Sequence, residues 1–118
     1  MSKIRLEVTL RSSEDDNQFE TTGYIHENKI HYIEPSGTKV ELDIEENVLK
    51  RNSQEIEMEF FFELNKETES YLYLKEYNQS LALKIKTSQI MKDKDYYCVE
   101  YEVMDNDCFF YKLEIKEV

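Results

Sequence analysis

The chain has no tryptophan, one proline, two glycines and two cysteines among its 118 residues. With only Gly23 and Gly37 there is no glycine-rich phosphate loop, and no G-x-S-x-G nucleophile elbow occurs. Cys98 and Cys108 are too few for a disulfide framework, and on the hairpin inferred below they are not opposite each other, so reduced thiols in a cytosol are expected. No histidine lies near either cysteine in sequence to activate it as a nucleophile. No apolar run approaches the ~20 residues of a membrane-spanning helix. The opening MSKIRLEVTL lacks a long apolar stretch and a small-residue cleavage site, so no signal peptide is expected and the expected location is cytoplasmic. Cations are also scarce: 15 Lys and Arg stand against 26 Asp and Glu, a formal net charge of -11. Nucleic acid and anionic membrane are therefore not expected partners, since both are held by clustered Lys and Arg. The acidity reads as solubility.

What the chain does have is apolar and aromatic content. It is 40% hydrophobic, with nine tyrosines and six phenylalanines, which favours a folded domain over disorder. Its length fits a single domain that buries roughly two-thirds of the unfolded surface. The pattern is set by Glu55 to Leu64, EIEMEFFFEL. Ile56, Met58, Phe60, Phe62 and Leu64 fall on one side of an extended segment, and Glu55, Glu57, Glu59, Phe61 and Glu63 on the other. That period of two marks a half-buried β-strand.

Most other segments repeat it. Lys3 to Ser12 turns Ile4, Leu6, Val8 and Leu10 one way. Phe19 to Glu27 contains Gly23, where a bulge, a bend or a close backbone approach is expected. Asn28-Lys29 reads as a tight turn into Ile30 to Glu34, and Pro35-Ser36-Gly37 as a turn into Thr38 to Glu45. Val48 to Arg51 precedes the central strand; Asn65 to Ser70 reads as a loop; Tyr71 to Tyr77 follows. Ser80 to Ile90, Tyr96 to Met104 and Cys108 to Glu117 complete the set, with Asp105-Asn106-Asp107 as the last turn. No window carries a capped helical repeat, so no long helix is expected; a short helical turn over Ser88 to Lys92 stays open. The fold class is all-β, with about eight to ten strands joined by short links, hence antiparallel neighbours. A meander β-barrel curls the sheet around its dry face and removes the edges; a two-sheet sandwich is the alternative, and periodicity does not separate them.

Five stretches also carry a resemblance. Phe19-Glu-Thr-Thr-Gly-Tyr24 is followed by Asn28-Lys-Ile-His-Tyr32 and a Glu-containing turn, then Val48-Leu-Lys-Arg51, a strand with Met58 and Phe60, and Leu83-Lys-Ile-Lys-Thr87 before two closing strands. In this order of elements, nearly the whole chain resembles the YwiB-like family of bacterial proteins, which has no assigned activity and a calycin-like (lipocalin-like) β-barrel. The resemblance implies fold and no catalytic residues. Since calycins include carriers of small apolar ligands, cavity binding is suggested by analogy.

The candidate sites follow from these strands. Thr21, Thr22, Gly23 and Tyr24, with Thr87, form a small and hydroxylated cluster that in a barrel would make room for a ligand and hydrogen-bond it. The plainer reading is that Gly23 relieves curvature and the threonines are good strand residues. Phe61, Tyr71, Tyr73 and Tyr77 lie opposite the core face and would form an apolar surface for a protein partner or a homodimer. A two-residue turn at Asn28-Lys29 sets His26 directly opposite His31, a remote metal pair that Glu20 or another carboxylate would complete; an ordinary outer-wall pair is the plainer reading. Glu55, Glu57, Glu59 and Glu63 read as a solvated face rather than an acid–base pair, and Asp105-Asn106-Asp107 lacks the glycine and glutamate of a calcium loop. No catalytic residue and no cofactor are assigned. The expected function is a non-enzymatic binding module for a small apolar ligand inside the barrel. The alternative is an interaction or structural module using the aromatic face, favoured if the many bulky inward side chains fill the barrel. A metal-dependent enzyme is the remotest reading.

Overall fold

The computed structural model describes residues 2–104 and 107–117; Asp105 and Asn106, and with them most of the expected Asp105-Asn106-Asp107 turn and the calcium-loop comparison, lie outside the described residues. The described chain is all strand and turn: β1 (Ser2–Arg11), β2 (Asp16–His26), β3 (Lys29–Ile33), β4 (Lys39–Asp43), β5 (Val48–Asn52), β6 (Ile56–Phe61), β7 (Glu67–Leu74), β8 (Gln79–Asp93), β9 (Tyr96–Val103) and β10 (Asp107–Glu117). Each strand pairs antiparallel with the next, and β10 returns to pair with β1. The result is a closed ten-strand barrel, not a sandwich, so the first and last strands hide each other's edges.

The dry face of the alternation becomes the barrel interior. Ile4, Leu6, Val8, Ile30, Leu42, Ile85, Tyr97, Val99, Tyr111 and Leu113 are all but sealed from solvent. The turns fall where a residue tolerates a left-handed backbone: Asn47, Asn65, Asn78 and Gly37 have positive φ, joined by Glu27 and Met104.

Two expectations are corrected, and one point left open is decided. Leu64 is exposed rather than core, because β6 ends at Phe61. Beyond Glu59, opposite Tyr71, side chains replace the ladder: the Ser70 hydroxyl accepts the Phe61 N–H at 3.0 Å, and the Thr68 hydroxyl donates to the Phe61 carbonyl. The hydroxyls wedge the strands apart, and the chain turns away to bridge Leu64 with Thr87. β7 therefore starts inside the expected loop, at Glu67, and ends at Leu74, which puts Tyr77 in the following turn rather than on the strand. No helical turn interrupts Ser88 to Lys92: β8 runs through to Asp93, and a bulge between Thr87 and Gln89 absorbs the irregularity.

Gly23 marks a close backbone approach. A Cβ there would stand 2.6 Å from the His31 carbonyl oxygen and 2.8 Å from Leu6 Cδ1. The glycine sits opposite Tyr32, so its missing side chain lets β3 carry a tyrosine into the interior. Replacing it overpacks this wall. Gly23→Ala is expected to lower unfolding free energy by about 1–3 kcal/mol in urea, with an unchanged denaturant slope. An unchanged midpoint would show that β2 and β3 separate freely at this point.

Candidate functional site

The interior holds a polar column within an apolar core. Tyr32 on β3 and Tyr111 on β10 reach across two intervening strands and share a hydrogen bond of 2.7 Å between their hydroxyls, sealed from solvent. The next inward residue after Tyr32 is Glu34, just past β3 and only 6% exposed. The turn Pro35-Ser36-Gly37 holds it: the Glu34 N–H donates to the Thr38 carbonyl at 2.9 Å and its carbonyl accepts from the Gly37 N–H at 2.8 Å. Arg51, inward on β5 opposite Val40, donates from Nη2 to Glu34 Oε1 at 2.6 Å. Tyr101 from β9 stands in the field of the same guanidinium. The chemistry of the column is pairing: two phenols satisfy each other, and a carboxylate neutralises a guanidinium, as buried polar groups require.

Above this column the barrel opens. A cavity of about 470 Å³ lies at the β1–β2 turn and the adjoining ends of β9 and β10, walled by Leu10, Leu49, Met58, Phe60, Tyr101, Val103 and Phe109 with Arg51 among them. Arg11, Asp15 and Asn17 stand at its β1–β2 side. A second hollow, about 590 Å³, touches the same end; Lys86, Glu100, Glu102 and the exposed Cys108 contribute to it. These are outer-wall positions of alternating charge, whereas the first hollow is bounded by core side chains, so the first has the make-up of a binding cavity.

The residues singled out from sequence are distributed differently. Thr21 is half-buried on the inner side, and its hydroxyl donates to the Ile33 carbonyl at 3.2 Å; Gly23 is packed against β3; neither lines the mouth cavity. Tyr24 points outward and is 45% exposed, so it does not share an inner face with them. Thr87 is buried beneath the Leu64 bridge, and its hydroxyl has no hydrogen-bond partner among the described residues. Phe61 and Tyr71 do meet on the outer wall, edge to face with centroids 6.3 Å apart. Tyr73 adds its hydroxyl to Asn78 at 2.5 Å, and Tyr77, 70% exposed, lies apart in the turn. The Lys50 ammonium between Glu41 and Glu59 borders this patch, which is therefore not continuously apolar.

The opposed histidine pair is corrected. The turn is Glu27-Asn28, so His26 faces Lys29 and His31 faces Tyr24. Both registers keep Ile25 and Ile30 inside; only the observed one sets Gly23 against Tyr32. The imidazoles are diagonal, His31 lies 3.6 Å from Glu41, and no three metal-binding side chains converge among the described residues. Cys98 faces Lys112 and Cys108 faces Glu102, both thiols free. Burial pushes the Cys98 thiol above its ordinary range, with Glu100 adding to it and Lys112 opposing.

Burial also pushes the Tyr32, Tyr97 and Tyr111 phenols well above the ordinary tyrosine value, and Tyr101 up to about 12 against the pull of Arg51. Their folded values exceed the unfolded value of about 10, so their neutral burial stabilises the barrel fully below pH 10. The stability falls as pH rises from about 10 through the folded values. Absorbance at tyrosinate wavelengths should therefore show the buried four ionising only together with loss of β circular dichroism. Independently, Tyr32→Phe or Tyr111→Phe alone strands one hydroxyl and should cost about 1–3 kcal/mol, while the double variant costs less than the sum of the two. Strict additivity in urea titrations would show that the two hydroxyls do not depend on each other.

No protein-family profile and no curated protein sequence matches this chain. Among solved structures it is similar to the crystal structure of ywiB protein from Bacillus subtilis, with a TM-score of 0.64 and 17% identity over 98% of this chain and 90% of that one. At that identity the likeness shows the fold: this chain has a YwiB-like β-barrel.

Proposed function

We propose that the chain is a non-enzymatic, cytoplasmic binding module of the calycin-like kind that holds a small apolar ligand in the mouth of its barrel. The observation that carries this reading is the 470 Å³ cavity, walled by core side chains from five strands and sized like known small-molecule sites. The site moves from the Thr21–Thr87 region, which is packed, to the β5–β6 and β9–β10 walls. Supporting it, the hollow is apolar except for Arg51 and the β1–β2 rim, and the lower barrel is already filled by Tyr32, Tyr97 and Tyr111. No helix among the described residues is long and apolar enough to cross a membrane.

The second reading is a protein partner or a second copy of the chain on the Phe61–Tyr71–Tyr73 face. The edge-to-face contact of Phe61 with Tyr71, 47% exposed, favours it. The charged ladder beside that contact ranks it second.

Native mass spectrometry of freshly purified protein separates the two. A bound mass that vanishes on denaturation supports the cavity; a clean dimer supports the aromatic face. The cavity is tested directly with the neutral fluorophore N-phenyl-1-naphthylamine. Met58, half-buried in the cavity wall, is replaced by tryptophan. Met58→Trp should weaken probe binding by about tenfold or more with the circular dichroism intact. A variant that binds the probe as tightly as the parent would move the ligand out of the mouth.

A further inference from the structure

The mouth cavity has one half-buried polar pole among its core walls, and its electrostatics define the head group it accepts. We infer that the cavity takes an apolar molecule carrying one uncharged hydrogen-bond acceptor, a carbonyl oxygen, in preference to the carboxylate of the same chain length; this rests on the cavity reading above. Arg51 supplies the pole. A guanidinium is all donors, five N–H groups with no acceptor, so the complementary ligand atom is an acceptor. The bond to Glu34 uses one of those groups, Nε is closed off within the wall, and the side chain as a whole keeps 31% of its surface exposed, which leaves other N–H groups open. An apolar molecule that covered those open groups without an acceptor would strand them, whereas a ligand oxygen that accepts from the guanidinium avoids that cost. The Tyr101 phenol, held neutral by burial in the same wall, adds an O–H group beside it.

Charge decides between a carbonyl and a carboxylate. Glu34, almost wholly buried, already neutralises Arg51 at 2.6 Å. The other cation at the mouth, Arg11, has its Nε 3.3 Å from Asp16 and its guanidinium 5.6 Å above the Phe110 ring. Asp15 also lines the cavity, so its cations are matched and a carboxylate remains over. A further carboxylate would surrender its hydration to enter a site already in negative excess, on a chain of net charge -11. A carbonyl gives up less hydration and still fills the donor.

The test uses 2-decanone and decanoate, matched in length, to displace N-phenyl-1-naphthylamine at neutral pH, with the ketone carbonyl labelled with carbon-13. The ketone should displace the probe at a concentration about tenfold lower than decanoate. Its bound carbonyl stretch should lie below the position in hydrocarbon solvent, the mark of a hydrogen bond. Removing Arg51 alone leaves Glu34 buried and unpaired, so the variant is Arg51→Met with Glu34→Met, which removes the pair together. Circular dichroism checks its fold. In it the ketone should still bind but with a hydrocarbon-like stretch. A hydrocarbon-like stretch in the parent overturns the carbonyl inference while leaving the cavity reading in place. Tighter binding of decanoate than of ketone overturns it in favour of an anionic head group. Failure of both ligands and the probe to bind removes the cavity reading and this inference with it.

Discussion

The hydrogen bond between Tyr32 and Tyr111 is the constraint on which the interior depends. A ten-strand barrel encloses more space than small side chains fill, and each large side chain that enters must satisfy any polar tip it carries. Tyr32 and Tyr111 solve this reciprocally, across the barrel, at 2.7 Å. Tyr97 solves it at the opposite end by donating to the Asn47 amide oxygen at 3.2 Å, an atom that also accepts from Lys92. The three rings fill the lower and middle barrel. Space remains near the β1–β2 turn and the adjoining ends of β9 and β10, where Leu10, Met58 and Val103 stand beside Tyr101.

The same constraint explains Gly23 and the Glu34–Arg51 pair. Tyr32 can enter only because the wall opposite it has no Cβ. Two residues after Tyr32, just past β3, the inward phase delivers Glu34 into the same interior, where an isolated carboxylate would not be tolerated. Arg51, inward two strands away, compensates it. A buried pair of this kind is weak support for stability, since well-packed apolar residues often do as well. Arg51 also lines the mouth hollow with its side chain 31% exposed, so on the proposed reading the donors that Glu34 leaves free are available for recognition.

Much of the barrel was legible in the alternation. A period of two names the inner residues of nearly every strand, and Asn47, Asn78 and Gly37 mark turns because they accept a left-handed backbone. Register was less legible. Sliding the β2–β3 hairpin by two positions keeps every face, so His26 opposite His31 and His26 opposite Lys29 look alike to periodicity. What separates them is a volume match, Gly23 against Tyr32, which exists only between strands. The end of β6 was illegible for a similar reason: EIEMEFFFEL alternates to its last residue, while the hydroxyls that break the ladder belong to Thr68 and Ser70 on the neighbouring strand.

The site itself was written in the sequence as two exceptions. Ile30, Tyr32 and Glu34 share one phase of β3 and its turn, and Leu49 and Arg51 share one phase of β5. Each series begins apolar and ends on a charge, of opposite sign, at the strand end nearer the same rim. A charged residue in a dry phase has three outcomes: the strand ends before it, the side chain escapes to solvent, or it finds a partner inside. Two such exceptions of opposite sign, on strands one apart in a meander, favour the third outcome, because each is the nearest available neutraliser of the other. Hydroxyls and small residues, which pointed to Thr21 and Thr87, are weaker signals, since strands use them freely for packing and for bonds to their own backbone. In a barrel of this kind the phase-breaking charge, rather than the residue that resembles a ligand contact, marks the part of the wall that packing alone does not explain.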